Sequence, residues 1–235
     1  MTIPDRGGEL LTLIDLTFAV PPRSNKFLGR ILGEMIEPGI KSRPTYERLK
    51  PDPFAKSNIV VIDAGGSDAY LDMAKSASEQ FLARTTVLLD RESASEASVA
   101  SKVTSTKVGN LWIFPTLETL IGRLDSVLAN SKMGTRLYAA GREPLIGSVV
   151  KTAIAHGVSH NSVITEHRGS LTRRVQCVHC KGYTDNVTTN PVRCAHCGLT
   201  LLVRDHYSRR IGAFQGVCID AEKPGEVPET KVEFA

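Results

Sequence analysis

No apolar run among the 235 residues approaches the roughly twenty needed to cross a bilayer, so the sequence offers no helical membrane span. Met1 to Arg6 lacks the basic-then-apolar layout of a secretory leader, and Leu10 to Leu16 is short and broken by Asp15. A cytoplasmic protein is therefore expected. Charge of one sign is scarce: the net value is only +4, well short of a whole-chain nucleic-acid or membrane-surface footprint. Missing too is any oxygen-activating constellation. There is no His-x-Glu pair on a helix, no facial triad and no Cys-x-x-Cys-His haem attachment site. Dispersed cysteines are absent as well, since four of the five fall within residues 177–197, unlike a secreted disulfide framework.

What is present divides the chain into four stretches. Residues 1–57 are broken by Pro21-Pro22, Pro38-Gly39, Pro44, Pro51 and Pro53. That reads as an irregular segment wrapping over another surface, in this chain or on a partner, with one short helix over Asn25–Ile36. Residues 58–169 alternate strand and helix. Asn58–Asp63 is a continuous apolar run, as in a strand buried on both faces. Ala64-Gly65-Gly66 is a tight turn, and Ser67 or Asp68 caps a helix to Arg84 that offers Tyr70, Leu71, Ala74 and Phe81 to a core. Strands follow at 85–89, 111–114, 136–140 and 162–165, with helices at 91–102, 116–128 and 143–156 between them. Leu117, Leu120, Ile121, Leu124 and Leu128 lie at helical spacing. The alternation predicts an α/β domain with a parallel sheet covered on both faces. Residues 170–220 carry the cysteines and many β-branched residues. The Pro- and Glu-rich residues 221–235 read as a loosely attached tail.

The chemistry concentrates in two near-copies of one unit, Val175-Gln-Cys177-Val-His-Cys180-Lys-Gly182 and Val192-Arg-Cys194-Ala-His-Cys197-Gly198. Each is a Cys-x-x-Cys turn whose amides point at the sulfurs. The glycine after the second cysteine is expected to take a positive φ. Cys177, Cys180, Cys194 and Cys197 thus form a tetrahedral thiolate set for one metal ion, zinc, with iron as the alternative. A complete cysteine set leaves no position for water or substrate, so the ion is structural and substitutes for a core that so short a ribbon cannot build. His179 and His196 are expected outside the ligand set. Cys218 is expected to be a small buried apolar residue.

Two resemblances follow from these residues. Leu137-Tyr138-Ala139-Ala140-Gly141-Arg142-Glu143-Pro144-Leu145, Gly157-Val158 and Val163–His167 resemble the last strand–helix–strand unit of ferredoxin reductase-type NAD(P)H-binding domains, with Ala64-Gly65-Gly66 as the first glycine turn. The resemblance implies a nucleotide pocket at Gly65, Gly66, Gly141 and Glu143, where glycine admits a phosphate to a helix N-terminus. The sequence departs from that family at Asp68, Ala140 and Arg142, matches weakly at Asp90-Arg91, and has no flavin-holding barrel before Asn58. A working pocket and a scaffold that has lost its cofactor both stay open. Pro38–Tyr46, Thr188–Pro191, Leu202–Ala213, Gly216-Val217 and Asp220–Glu222 resemble the DmmA-type subunits of bacterial dimethylamine monooxygenase. That likeness implies a hetero-oligomer that uses O2 and NADPH to demethylate dimethylamine to methylamine and formaldehyde. Haem, flavin and iron–sulfur centres would sit on sister subunits. Arg204–Arg210 is then expected at a subunit interface, with His206 or Tyr207 near a sister cofactor as the sharper reading. A stand-alone NAD(P)H or flavin oxidoreductase is one alternative. The other is a nucleic-acid-binding ribbon, suggested by Arg173, Arg174, Lys181, Arg193, Arg204, Arg209 and Arg210 against Asp185 and Asp205.

Overall fold

The run at Asn58–Asp63 forms β1 (Ser57–Ile62), and its alternation feeds two cores. Val60 and Ile62 face Tyr70, Met73, Phe81 and Leu89, whereas Ile59 and Val61 face Leu120, Leu124, Leu145 and Val149. The computed structural model describes residues 42–91 and 96–235; the helix expected over Asn25–Ile36 and the block Pro38–Lys41 lie outside them. After β1 come α1 (Ser67–Ser76), α2 (Glu79–Ala83), β2 (Thr85–Asp90), α3 (Glu96–Ser105), β3 (Asn110–Phe114) and α4 (Leu117–Ala129). Then come β4 (Thr135–Gly141), α5 (Glu143–Ala155) and β5 (Val163–His167). The five strands are parallel in the order β3-β2-β1-β4-β5. This is the doubly wound order, whose switch point lies between β1 and β4.

The helix expected to reach Arg84 is two. Ala77 turns to extended backbone, and the Ser78 hydroxyl accepts from the Phe81 amide to start α2. A serine oxygen competes with the helix ladder in this way, and the break lets Phe81 enter the core against Tyr138. Thr116 caps α4 through the Thr119 amide, and Leu120, Leu124 and Leu128 are its buried stripe.

The core residues of α1 and α3 share one cluster and those of α4 and α5 the other, as right-handed crossovers require. Residues 42–56 complete the first face over β4 and β5. This extended strap gives the Glu47 amide to the Thr165 carbonyl (2.9 Å), the Leu49 amide to Glu166 Oε2 (2.7 Å), the Asp52 amide to the Tyr138 hydroxyl (3.0 Å) and the Lys56 amide to the Gly134 carbonyl (2.9 Å). Leu49 enters the core beneath it.

The C-terminal part is a second, all-β layer: β6 (Arg173–Cys177), β7 (Tyr183–Val187), β8 (Thr189–Asn190), β9 (Val192–Arg193), β10 (Thr200–Ser208), β11 (Ala213–Cys218) and β12 (Lys231–Val232). Five of its strands order as β7-β6-β11-β10-β9 around Val175, Val187, Leu201, Val203, Tyr207 and Phe214. The tail expected to be loose is anchored. β12 pairs with β8, the Glu233 and Phe234 amides both donate to the Thr188 carbonyl, and Phe234 is buried in the same core. One aromatic side chain at the penultimate position outweighs the polar composition before it.

Candidate metal centre and the carboxyl edge of the sheet

Each cysteine turn is built by backbone bonds. Cys177 N–H donates to the Gly182 carbonyl and Lys181 N–H to the Cys177 carbonyl; Cys194 N–H donates to Leu199 and Gly198 N–H to Cys194. In the second turn Gly198 takes φ +74°, as its position after Cys197 predicts. In the first, Lys181 itself takes φ +62°. Gly182 is needed for another reason: a Cβ there would drive into the His196 ring. His196 Nε2 meets the Tyr183 carbonyl at 2.9 Å, so this histidine ties one turn to the other from outside the sulfur cluster.

The four sulfurs lie within 4.8 Å of one another, with Cys177–Cys197 at 3.8 Å and Cys180–Cys194 at 3.6 Å. A disulfide would need about 2.05 Å, whereas a metal–sulfur bond of about 2.3 Å in a tetrahedron puts sulfurs about 3.8 Å apart. Cys177 and Cys194 are buried, Cys180 and Cys197 half-buried. Burial opposes a thiolate at Cys194, but the Cys197 and His196 amides and the adjoining thiols pull its pKa down to about 6. At Cys197 the Leu199 amide favours the thiolate, yet burial and its three sulfur neighbours push it up to about 12. Cys194 is thus favoured as an anion and Cys197 resisted as one; a divalent cation would supply the charge needed for all four to ionise. The donor set fits a tetrahedral thiolate metal. Cys218, expected in a core, is half-buried, and its thiol donates to Asp220 Oδ1 at 3.2 Å.

Gly65, Gly66, Gly141 and Glu143 do come together at the switch point, where β1 and β4 feed α1 and α5. The amides there face a protein carboxylate. Asp63 Oδ1 accepts from Gly66 N–H (2.8 Å), and Oδ2 accepts from Arg142 N–H (2.9 Å) and Arg142 Nε (3.3 Å). Gly66 presses on the Ala140 carbonyl so closely that any Cβ would collide with it. Gly141, at φ +142°, leaves no room for a side chain against Asp63. Glu143 accepts from the Tyr46 hydroxyl at 2.8 Å, and burial raises its pKa despite that bond. The strap therefore reaches into this edge. Sequence reading passed over Asp63, although an acid between a buried strand and a Gly-Gly turn is its visible signal.

Within the run Arg204–Arg210, Asp205 and Tyr207 are used inside the chain. Asp205 receives Arg43 and Arg173, each at 2.8 Å, and these guanidiniums hold its pKa down against its partial burial. Arg173 is buried between the rings of Phe214 and Phe234, 4.1 and 3.9 Å from their centroids. Tyr207 is buried, and its hydroxyl fits over Gly147 of α5, where a Cβ would strike it. Strap, ribbon and α5 thus meet at one polar knot. Arg204, His206 and Arg210 remain exposed.

Comparison with known proteins bears on this arrangement. The sequence matches the family described as dimethylamine monooxygenase subunit DmmA-like, its N-terminal domain over residues 38–163 and its C-terminal domain over residues 174–217. A curated relative, the heme-dependent oxidative N-demethylase delta subunit of Ectopseudomonas mendocina (strain ymp), is 33% identical over 111 residues. That alignment spans 47% of this chain and 63% of the relative, under two thirds of its length. Two solved structures overlap it partially. The ferredoxin reductase of carbazole 1,9a-dioxygenase has 11% identity over 51% of this chain and 34% of its own, with a TM-score of 0.38. The flavohemoglobin of Malassezia yamatoensis has 13% identity over 52% and 33%, with a TM-score of 0.40.

Proposed function

The chain belongs to the dimethylamine monooxygenase subunit DmmA-like family, and from that premise we propose that it is a zinc-stabilised scaffold subunit of a multi-subunit oxygenase. The complex demethylates dimethylamine to methylamine and formaldehyde with O2 and NADPH, in the cytoplasm. Haem, flavin and iron–sulfur chemistry belongs to its sister subunits. The 33% identical relative is itself named as a subunit of a heme-dependent oxidative N-demethylase, which supports the assignment.

Two roles within this chain follow. Cys177, Cys180, Cys194 and Cys197 hold a structural ion, since four thiolates leave no open coordination position. Gly65, Gly66, Gly141 and Glu143 serve the packing of the sheet's edge rather than a nucleotide. One observation carries that reading: the Asp63 carboxylate already takes the amides of Gly66 and Arg142, the groups a pyrophosphate would use at such a switch point. A phosphate brought there would meet a fixed negative charge and a backbone packed without space at Gly66 and Ala140. NADPH does not fit this cradle, and no reaction step runs through it.

The nucleic-acid reading weakens for a similar reason. Arg173 is buried on aromatic rings, and Arg174 is held by Asp185 (3.2 Å) and by the Tyr183 ring, so two of the ribbon's seven cations are spent internally.

Purified chain should contain one zinc per molecule by elemental analysis, should carry no flavin colour, and should give no saturable signal when titrated with NADPH. It should co-purify with haem- and flavin-bearing partners when these are co-expressed. Iron in place of zinc would change the ion and keep the role. Saturable NADPH binding would overturn the scaffold reading.

A further inference from the structure

At the opposite end of the sheet from Asp63, two loops hold large apolar side chains in water. Phe54 is 90% exposed and Met133 is 96% exposed. Phe54 is not a stray side chain on a floppy loop. Asp52 Oδ1 accepts from the Phe54 amide (2.9 Å), the Asp52 carbonyl accepts from Ala55 (3.2 Å), and the Asp52 amide donates to the buried Tyr138. Arg136 of β4 grips the other Asp52 oxygen. These bonds fix the turn to the sheet and aim its phenylalanine outward. The Met133 loop is tied to the same place, because Lys56 N–H donates to the Gly134 carbonyl at 2.9 Å and Ser57 meets Thr135 side chain to side chain at 3.0 Å.

Among the described residues, the charge without an ion-pair partner at this tip is positive. Lys56 and Lys132 flank the two apolar residues, both exposed, and neither has an ion-pair partner among the described residues. The acid in the turn, Asp52, is taken up by Arg136, whose hydrogen bond lowers its pKa most. An aromatic held outward on one loop and a methionine on the loop bonded to it, with lysines that have no ion-pair partner among the described residues, have the make-up of a protein-binding anchor. An isolated exposed apolar residue needs no explanation; here two sit on loops that are bonded to each other.

We infer that Phe54 and Met133 form a docking tip for a sister subunit, whose face is an apolar pocket rimmed by Asp and Glu side chains that pair with Lys56 and Lys132. The inference rests on the subunit reading above and adds where the chain is gripped. The tip lies at the amino ends of β1 and β4, where the strap finishes, while the earlier strap residue Tyr46 and Asp63 lie at the carboxyl ends. β1 alone separates the two by about 20 Å, so docking here leaves the ribbon free for a second partner.

The test uses full-length chain and the purified sister subunits of the same oxygenase, each presented singly in a surface-binding assay. Wild-type chain should bind one of them, and added salt should weaken that binding. Phe54→Ser with Met133→Ser should weaken it at least tenfold, and Lys56→Glu with Lys132→Glu by a similar factor at low salt. Neither double variant should shift the melting temperature of the isolated chain, because these side chains are already in water. Equal binding by wild type and both variants overturns the docking tip and leaves the subunit assignment standing. Failure of wild-type chain to bind any sister subunit overturns both. If the isolated wild type self-associates and the Phe54/Met133 variant does not, the occupant is a second copy of this chain and the inference is wrong.

Discussion

Replacing Phe234 with alanine tests how the chain's last residues are held. Phe234 is 5% exposed, against 69% for Val232 two residues earlier. Truncating a buried phenylalanine to alanine costs about 3–5 kcal/mol in a closed core, and that figure includes the contact of its ring with Arg173 at 3.9 Å. One effect runs the other way. Arg173 Nη1 is buried without a hydrogen-bond partner, an arrangement that costs about 1–3 kcal/mol. Removing the ring admits water to that nitrogen and recovers part of the penalty. The net loss is then about 2–3 kcal/mol, or a fall of about 4–12 °C in melting temperature for a chain of this size. Thermal unfolding of metal-loaded protein, followed by circular dichroism, reads it directly. Phe234→Leu should fall between wild type and alanine, because it keeps volume and loses the π face. Val232→Ala should change nothing measurable. An alanine variant that melts within one degree of wild type would refute the clasp, and so would equal effects at positions 232 and 234.

Cys177→Ser or Cys194→Ser should abolish metal binding and unfold the ribbon, read as loss of the bound ion and of amide protection across β6, β10 and β11; one ion retained per chain contradicts the four-sulfur site. Asp205→Asn should destabilise the protein at neutral pH by about 1–2 kcal/mol, between an exposed pair and a buried one, since Arg173 is buried and Arg43 is not. Its folded pKa is lowered, so its contribution is present above the unfolded value of about 3.9 and fades as pH falls through the folded value. Glu143, whose folded pKa is raised, works in the opposite sense: its ionisation weakens the fold, and that loss is relieved as pH falls through its folded value. Denaturant midpoints from pH 7 to 4, each variant measured against wild type, should show the Asp205→Asn deficit persisting to pH 5. Glu143→Gln should match or exceed wild type at pH 7 and lose that advantage on acidification.

The strands of the parallel sheet were readable because burial on both faces leaves an unbroken apolar run, and β1, β2 and β4 begin and end within about a residue of expectation. The break between α1 and α2 was not, because Ala77-Ser78 is compatible with a helix until Phe81 has a core to enter. The two cysteine turns were legible from spacing alone. The roles of Lys181 and Gly182 within them were not, since the reason for Gly182 is the His196 ring, fourteen residues away in sequence. Composition misjudged the tail by averaging over residues 221–235, when a single phenylalanine determines whether the segment is held.

The basic run Arg204–Arg210 shows the same limit in its chemistry. In sequence it reads as a surface charged for a partner; folded, alternation along β10 turns Asp205 and Tyr207 inward and Arg204 and His206 outward. The inward pair joins two layers of different architecture that have separate cores. Tyr207 seats on the one glycine of α5 that can receive it, Asp205 gathers an arginine from the strap and another from β6, and Tyr46 returns from the strap to Glu143 at the start of α5. The strap's first residues thus join the ribbon through Arg43 and close on the sheet's carboxyl edge through Tyr46. In a nucleotide-binding domain that edge must stay open to its ligand; here Asp63 takes the amides of Gly66 and Arg142, and Tyr46 of the strap bonds Glu143. The sealing of the cleft and the attachment of the ribbon are therefore one structural solution, and a variant that freed the cleft by removing the strap's contacts would also loosen the metal-bearing layer.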